Sequence, residues 1–108
     1  MEDEVLSEMV KEVVRAIDPE GIILFGSRAR GDHREDSDID LMIVEREPFG
    51  PERSRLAEIS RVRRTLSRFG FAKDILVYSS DEMRKWSRSP NHVIYSGLTE
   101  GKVLYERS

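Results

Sequence analysis

Apolar residues recur along the first half of the chain with two different spacings. Between residues 3 and 17 they fall on one side of a helix, and Asp18-Pro19 predicts its end. The run GIILF at 21–25 is short, β-branched and bounded by glycines, which predicts a buried strand. A second strand is predicted at 39–45, and the SRARG segment before it can form only about a turn and a half of helix.

The second half of the chain carries five further predicted elements. Pro51 is well placed as the first residue of a helix that runs to about Phe69. Ser79 and Glu82 have the spacing of a capping box, which predicts the start of another helix. The elements predicted in chain order are a helix at 51–69, a strand at 73–79, a helix at 80–88, a helix at 89–99 and a strand at 102–106. This order predicts an α/β (α+β) fold, a small mixed β-sheet with helices packed on one face.

Length and composition narrow the class of protein. The 108 residues, 38% of them hydrophobic, predict a single domain over residues 1–108. The absence of Cys excludes disulfides and thiolate metal sites, and the two histidines, His33 and His92, argue against a His-rich zinc site. An acidic N-terminus and the lack of a long apolar run favour a cytoplasmic protein that does not enter a membrane.

Charge is distributed unevenly along the chain. Residues 1–50 hold 6 Lys and Arg against 14 Asp and Glu, whereas residues 51–74 hold 7 against 3. The acidic half would repel phosphate unless a cation intervened. The basic helix, which contains six arginines, is either a solvated face or a docking surface for an acidic partner. No recognition motif indicates direct sequence-specific binding of nucleic acid.

Three aspartates are candidate metal ligands. Asp38 and Asp40 project to the same side of the second strand, because residues i and i+2 share a face, while Ile39 and its alternating neighbours face the core. Asp74 is the one acid of the third strand and converges with them if the two strands are neighbours. Oxygen ligands of this kind suit Mg²⁺ or Mn²⁺. The alternative is that each is a solvated acid at a turn or strand end.

Gly26-Ser27 is a candidate phosphate-binding turn. Gly26 ends a strand and Ser27 opens a short helix, so backbone N–H groups would point toward an anion. The alternative is an ordinary strand-to-helix turn with a Ser cap. No P-loop or dinucleotide-binding fingerprint accompanies it.

Taken together, Gly26-Ser27, ten intervening residues and Asp38-Ile39-Asp40 spell G-S-x10-D-x-D. This signature resembles that of the nucleotidyltransferase superfamily related to DNA polymerase beta. With the later KDILVYS strand, the chain is similar to the minimal nucleotidyltransferase (MNT) domain proteins, some of which are antitoxins paired with HEPN-domain ribonuclease toxins. The resemblance implies a polymerase beta-like palm fold.

The resemblance also implies a role for each candidate. Gly26 and Ser27 would hold the β and γ phosphates of ATP, and Arg28 is a further candidate for phosphate contact. Asp38 and Asp40 would bind two Mg²⁺ ions, and Asp74 would ligate the catalytic ion and help to deprotonate the attacking hydroxyl. The implied reaction transfers AMP, with loss of pyrophosphate, to a tyrosine of a partner HEPN toxin. The alternatives are an antitoxin that acts by complex formation alone and an aminoglycoside-type enzyme.

The remaining candidates carry weaker signals. Arg30 is expected to pair with Asp36 or another local acid, and His33 and Arg34 are expected to be solvated. His92 is expected to be a packing or surface residue. The aromatic residues Trp86, Tyr95 and Tyr105 are expected in the core or at an interface, with stacking on a nucleotide base as the alternative.

Overall fold

The computed structural model describes the backbone of residues 2–108 and the side chains of residues 4–108. The elements in chain order are α1 (Glu2–Ile17), β1 (Gly21–Phe25), α2 (Gly26–Arg30), β2 (Ile39–Glu45), α3 (Arg55–Thr65), β3 (Lys73–Ser79), α4 (Ser80–Trp86), α5 (Val93–Glu100) and β4 (Lys102–Glu106). No helix within residues 2–108 is both long enough and apolar enough to cross a membrane.

The four strands form one mixed sheet in the order β3-β2-β1-β4. β1 is antiparallel to both β2 and β4, whereas β2 and β3 run parallel. The predicted α/β fold with a small mixed sheet is therefore confirmed.

Helices cover both faces of this sheet, so the prediction that they pack on one face was wrong. Ile39, Leu41 and Ile43 point to one side, where α1 contributes Met9 and Val13 to the main core, α3 contributes Val62, and Leu66 follows directly after α3. The alternate residue Met42 points to the other side and packs with Ile94 of α5, with Trp86 of α4 at its border. A central strand whose two faces are both apolar cannot leave either face in water.

Two helix starts differ from the sequence prediction. α3 begins at Arg55 rather than Pro51, because residues 50–53 form a turn closed by two hydrogen bonds of 3.1 Å between Gly50 and Arg53. Ser54 then caps the helix, its Oγ accepting from Ala57 N at 3.1 Å. The helix also ends early, at Thr65, and residues 66–69 continue as turns that keep Leu66 buried.

The last helix begins at Val93 rather than at Ser89-Pro90. His92 is its cap, with Nδ1 accepting a hydrogen bond from Ile94 N at 3.1 Å. The His92 ring also stacks on Trp86 with 4.7 Å between ring centroids, which confirms its packing role. Upstream, the predicted capping box between Ser79 and Glu82 is present, although α4 ends at Trp86 rather than at Arg88.

Candidate functional site

Strand order brings two of the candidate aspartates side by side. In the parallel pair of β2 and β3, Asp40 is the register partner of Asp74. Both belong to the face opposite the main core, because their neighbours Ile39 and Ile75 are buried in it. Asp38 lies two residues before Asp40, just ahead of β2. The condition set by the sequence, that the two strands be neighbours with aligned faces, is met.

The phosphate turn is placed beside the same aspartates by antiparallel pairing. Phe25, the last residue of β1, is the register partner of Asp40, so Gly26 follows at the same edge of the sheet. Gly26 has φ 72°, a left-handed conformation that favours glycine. A Cβ atom there would overlap Asp40 Oδ2. Gly26 is therefore needed for two reasons, its backbone angle and the close approach of the Asp40 carboxylate.

The first turn of α2 has no side-chain cap. Phe25 occupies the cap position with extended backbone and makes no capping hydrogen bond. The N–H groups at the start of α2 consequently lack the side-chain partner that Ser54 gives to α3. Gly26, at the start of α2, lies against the Asp40 carboxylate, so an anion bound by these donors would need a cation beside it.

The carboxylates act on one another electrostatically. The pKa of Asp40 is raised, first by burial and then by the negative charges of Asp74 and Asp38. The positive charges of Arg30 and Arg28 oppose this change in the pKa of Asp40. A carboxylate on which two further acids act favours a cation, which would relieve the repulsion at Asp40.

The chemistry of this donor set fits a magnesium site. All three side chains offer oxygen ligands, which Mg²⁺ prefers in proteins. Among residues 2–108, however, no three acidic or histidine side chains form a ready-made metal cluster. Asp38 and Asp74 are exposed and can turn toward a cation, whereas Asp40 is held against Gly26. The metal roles of these residues stay predictions.

Arg28 is buried and makes contacts within the chain. It is 5% exposed, and its guanidinium donates hydrogen bonds to the carbonyl oxygens of Ser37 and Glu35. The guanidinium also lies over the Phe71 ring, 5.4 Å from the centroid. Phosphate contact by Arg28 therefore stays a prediction, and the contacts present indicate a loop-holding role. Arg30, as expected, pairs with a local acid, Asp32, at 3.4 Å.

The arginines of the basic helix largely have partners within the chain. Arg55 makes a two-point contact with the Glu82 carboxylate at 2.9 and 2.6 Å, and Arg68 reaches Glu12 at 3.2 Å. Arg53 precedes the helix and bonds Glu45 at 2.5 Å. These contacts indicate that the arginines stabilise the fold, rather than forming a docking surface for a partner.

Two features of the fold, Phe71 beside the site and Glu45 at the other end of β2, gave little signal in the sequence. Phe71 follows a glycine in a loop, and only the folded chain places its ring against Arg28. Glu45 looks like an ordinary polar residue at a strand end, yet it is 6% exposed and lies beside Glu58. The one weak signal is its place directly after an apolar run, where an acidic side chain can become buried.

Comparison with known proteins decides the family. Residues 6–96 match the family model described as a nucleotidyltransferase domain. The chain belongs to the nucleotidyltransferase family. Two candidate protein adenylyltransferases of Methanocaldococcus jannaschii are similar to this nucleotidyltransferase. One is 38% identical over 87 residues, covering 78% of this chain and 76% of the relative, and the other is 34% identical over 77 residues, covering 68% and 72%.

Solved structures support the fold of this nucleotidyltransferase. A candidate nucleotidyltransferase from Sulfolobus solfataricus superposes with a TM-score of 0.67 at 24% identity, over 96% of this chain and 79% of that one. A structure of the tri-AMPylated HEPN toxin of Shewanella oneidensis in complex with an MNT antitoxin gives a TM-score of 0.56 at 19% identity, over 99% and 74%. A toxin-antitoxin complex with AMP-PNP gives 0.56 at 21%, over 94% and 74%.

Proposed function

We propose that this nucleotidyltransferase transfers AMP from ATP to a hydroxyl group of a partner protein. The observation that carries the proposal is the meeting of Asp40, Asp74 and Asp38 with the Gly26 turn at one edge of the sheet. The names of its relatives, candidate protein adenylyltransferases, support a protein as the acceptor.

The reaction forms one bond and breaks another. The oxygen of the acceptor hydroxyl attacks the α-phosphorus of ATP, and the bond from that phosphorus to the bridging oxygen of pyrophosphate breaks. The backbone donors at Gly26 and Ser27 would hold the β and γ phosphates, so the leaving group stays in line with the attack. Asp74 would accept the proton of the hydroxyl, and pyrophosphate departs with the bonding electron pair.

Asp38, Asp40 and Asp74 would hold Mg²⁺, with Mn²⁺ as a substitute. When bound, the ions supply positive charge at the attacking and leaving oxygens of the transfer. Asp40 is the central ligand in this proposal. It is the register partner of Asp74 on the neighbouring strand, and Asp38 lies two residues before it in the chain. Its closeness to Gly26 would set the distance between the metal site and the phosphates.

The partner that we propose is a HEPN-domain toxin, with a tyrosine hydroxyl as acceptor. The support comes from the structural neighbour in which an MNT antitoxin accompanies an AMPylated HEPN toxin. Adenylylation would then silence the toxin, and this chain would act as its antitoxin. Neutralisation by complex formation alone is the competing function, since the same neighbours are complexes.

One labelling experiment tests the transfer. The protein is incubated with a HEPN-domain protein as candidate partner, α-labelled ATP and Mg²⁺, and label on that toxin is measured. Wild type should label the toxin, and D40N and D74N should lower the rate at least about 100-fold. D36N is the matched control, since Asp36 is an exposed acid of the loop that precedes β2, and it should label normally.

The outcomes separate the candidate functions. If D40N neutralises the toxin as well as wild type and no label is transferred by either protein, complex formation is the function. Label on an aminoglycoside in place of the toxin would support small-molecule transfer instead. Transfer at equal rates by wild type and D40N would refute the catalytic site proposed here.

A further inference from the structure

Arg28 ties α2 to the part of the loop that lies directly before Asp38. Its Nε and Nη2 atoms donate to Ser37 O at 3.1 and 2.8 Å, and Nη2 also donates to Glu35 O at 3.1 Å. The side chain is nearly buried, and the Phe71 ring supports the guanidinium from one side. Charged hydrogen bonds of this kind, shielded from water, hold a backbone more tightly than neutral ones.

Asp38 is consequently held through its two neighbours in the chain. On one side, the Ser37 carbonyl accepts from Arg28. On the other, Ile39 N donates to Ala72 O at 2.8 Å. Ala72 directly follows Phe71, which lies under the same guanidinium. The backbone of Asp38 is thus fixed on both sides although its side chain is exposed.

The loop is also joined to α2 at its start, where Asp32 N donates to Ser27 O at 3.2 Å, but that contact is distant from Asp38 in the loop. Residues 31–38 contain no helix or strand, and four of the eight are acidic. Ser37 makes a local turn with Arg34 through hydrogen bonds of 2.8 and 3.1 Å. That turn shapes the loop without anchoring it to α2 or β3.

We propose that Arg28 is a positioning residue, which fixes Asp38 so that its carboxylate can join Asp40 and Asp74 in binding a divalent cation. Arg28 touches neither substrate nor cation in this role and acts through the Ser37 carbonyl. The inference rests on the proposed function, because it requires Asp38 to be a metal ligand.

The neighbouring Arg30 provides a matched control. Arg30 lies on the same short helix and acts on the Asp40 carboxylate more strongly than Arg28 does. It pairs with the carboxylates of Asp32 and, at 4.0 Å, Glu100, whereas Arg28 bonds the loop carbonyls next to Asp38. Replacing Arg30 by Met therefore removes an equal charge from the site without releasing the backbone at Asp38.

The experiment measures Mn²⁺ binding by electron paramagnetic resonance at 10 °C, with folding of each variant checked by circular dichroism. Loss of a group that orients a metal ligand typically weakens metal affinity about 10- to 100-fold, and R28M should weaken Mn²⁺ binding within this range. R28K should fall between R28M and wild type, because one ammonium cannot reproduce the forked contact. R30M should change Mn²⁺ affinity less than about threefold.

Two further variants keep the inference testable. F71L retains an apolar side chain but removes the ring beneath Arg28, and it should weaken Mn²⁺ binding by less than R28M. If R28M does not fold, F71L and R28K decide, and wild-type Mn²⁺ affinity in both would overturn the inference. Equal losses in R28M and R30M would also overturn it, because charge alone would then explain the effect.

The variant D38A separates this inference from the proposed function. If D38A binds Mn²⁺ like wild type, the metal site proposed above is wrong and the role of Arg28 falls with it. If D38A loses Mn²⁺ binding while R28M retains it, the metal site stands and only the positioning role is refuted.

Discussion

The buried acid at the far end of β2 makes stability depend on pH in an unusual direction. Glu45 is 6% exposed, and one of its oxygens is bonded by Arg53 at 2.5 Å. The other oxygen, Oε2, has no hydrogen-bond donor among the described residues and lies beside the Glu58 carboxylate. Burial, and then the hydrogen bond and negative charge of Glu58, raise the pKa of Glu45 from 4.5 to about 7. At a pH below about 7, Glu45 is protonated and its hydroxyl donates a hydrogen bond to the Glu58 carboxylate.

The magnitude follows from linkage between protonation and folding. The folded protein holds a proton on Glu45 that the unfolded chain releases near pH 4.5, so stability is full below that pH and falls as pH rises through about 7. A shift of this size corresponds to roughly 3 kcal/mol. An adjoining cavity of about 400 Å³, lined by Glu45, Glu58 and Arg61 among others, admits solvent and reduces the cost of the charge. We expect a loss of about 2 kcal/mol between pH 5 and pH 8.

Urea unfolding of wild type and E45Q at pH 5, 6, 7 and 8 measures this loss. Gln cannot ionise, so the free energy of unfolding of wild type minus that of E45Q should fall by about 2 kcal/mol across the range. E47Q is the control, because Glu47 also lies near Arg53, at 3.7 Å, but its side chain is 77% exposed. Its unfolding free energy should follow that of wild type. If the difference in unfolding free energy between wild type and E45Q stays constant or grows with pH, Glu45 is not the group responsible for the loss.

Three substitutions test other parts of the structure. G26A should lower transfer at least about 100-fold and destabilise the fold by about 1–3 kcal/mol, because Cβ meets Asp40 and φ is positive. G50A, where a Cβ meets nothing within 4 Å, should leave transfer unchanged in the same labelling assay. R55M should cost about 1–3 kcal/mol in urea unfolding, because it leaves the capping glutamate of α4 without its cation; stability within 0.5 kcal/mol of wild type, a change expected of a neutral surface site, would contradict this. H92A should cost about 1 kcal/mol through loss of the α5 cap, and H92N should recover most of it; equal losses would exclude capping.

Sequence reasoning located the elements with strong local signals. Apolar runs with β-branched residues, and the Ser79 capping box, depend on residues close together in the chain, and these predictions are confirmed at β1, β2, β3 and α4. It failed at the starts of α3 and α5, where Pro51 and Pro90 suggested a first helical residue. Turns at residues 50–53 and 89–92, and caps by Ser54 and His92, shifted both starts toward the C-terminus.

For the candidate site, the sequence predicts which face of the sheet a side chain lies on, whereas the tertiary structure decides which residues it contacts. Alternation along β2 sets the face of Asp40 before any fold is known, because the period of a strand is two. That Asp74 lies beside it, and that Gly26 touches it, follows from the strand order β3-β2-β1-β4. The contact of Phe71 with Arg28 and the pairing of Glu45 with Glu58 likewise join segments that are separated in the chain. The sequence by itself determined the elements and the chemistry of the donor groups. Only tertiary structure decided which of those groups meet, since pairing and burial depend on contacts between segments that no local pattern encodes.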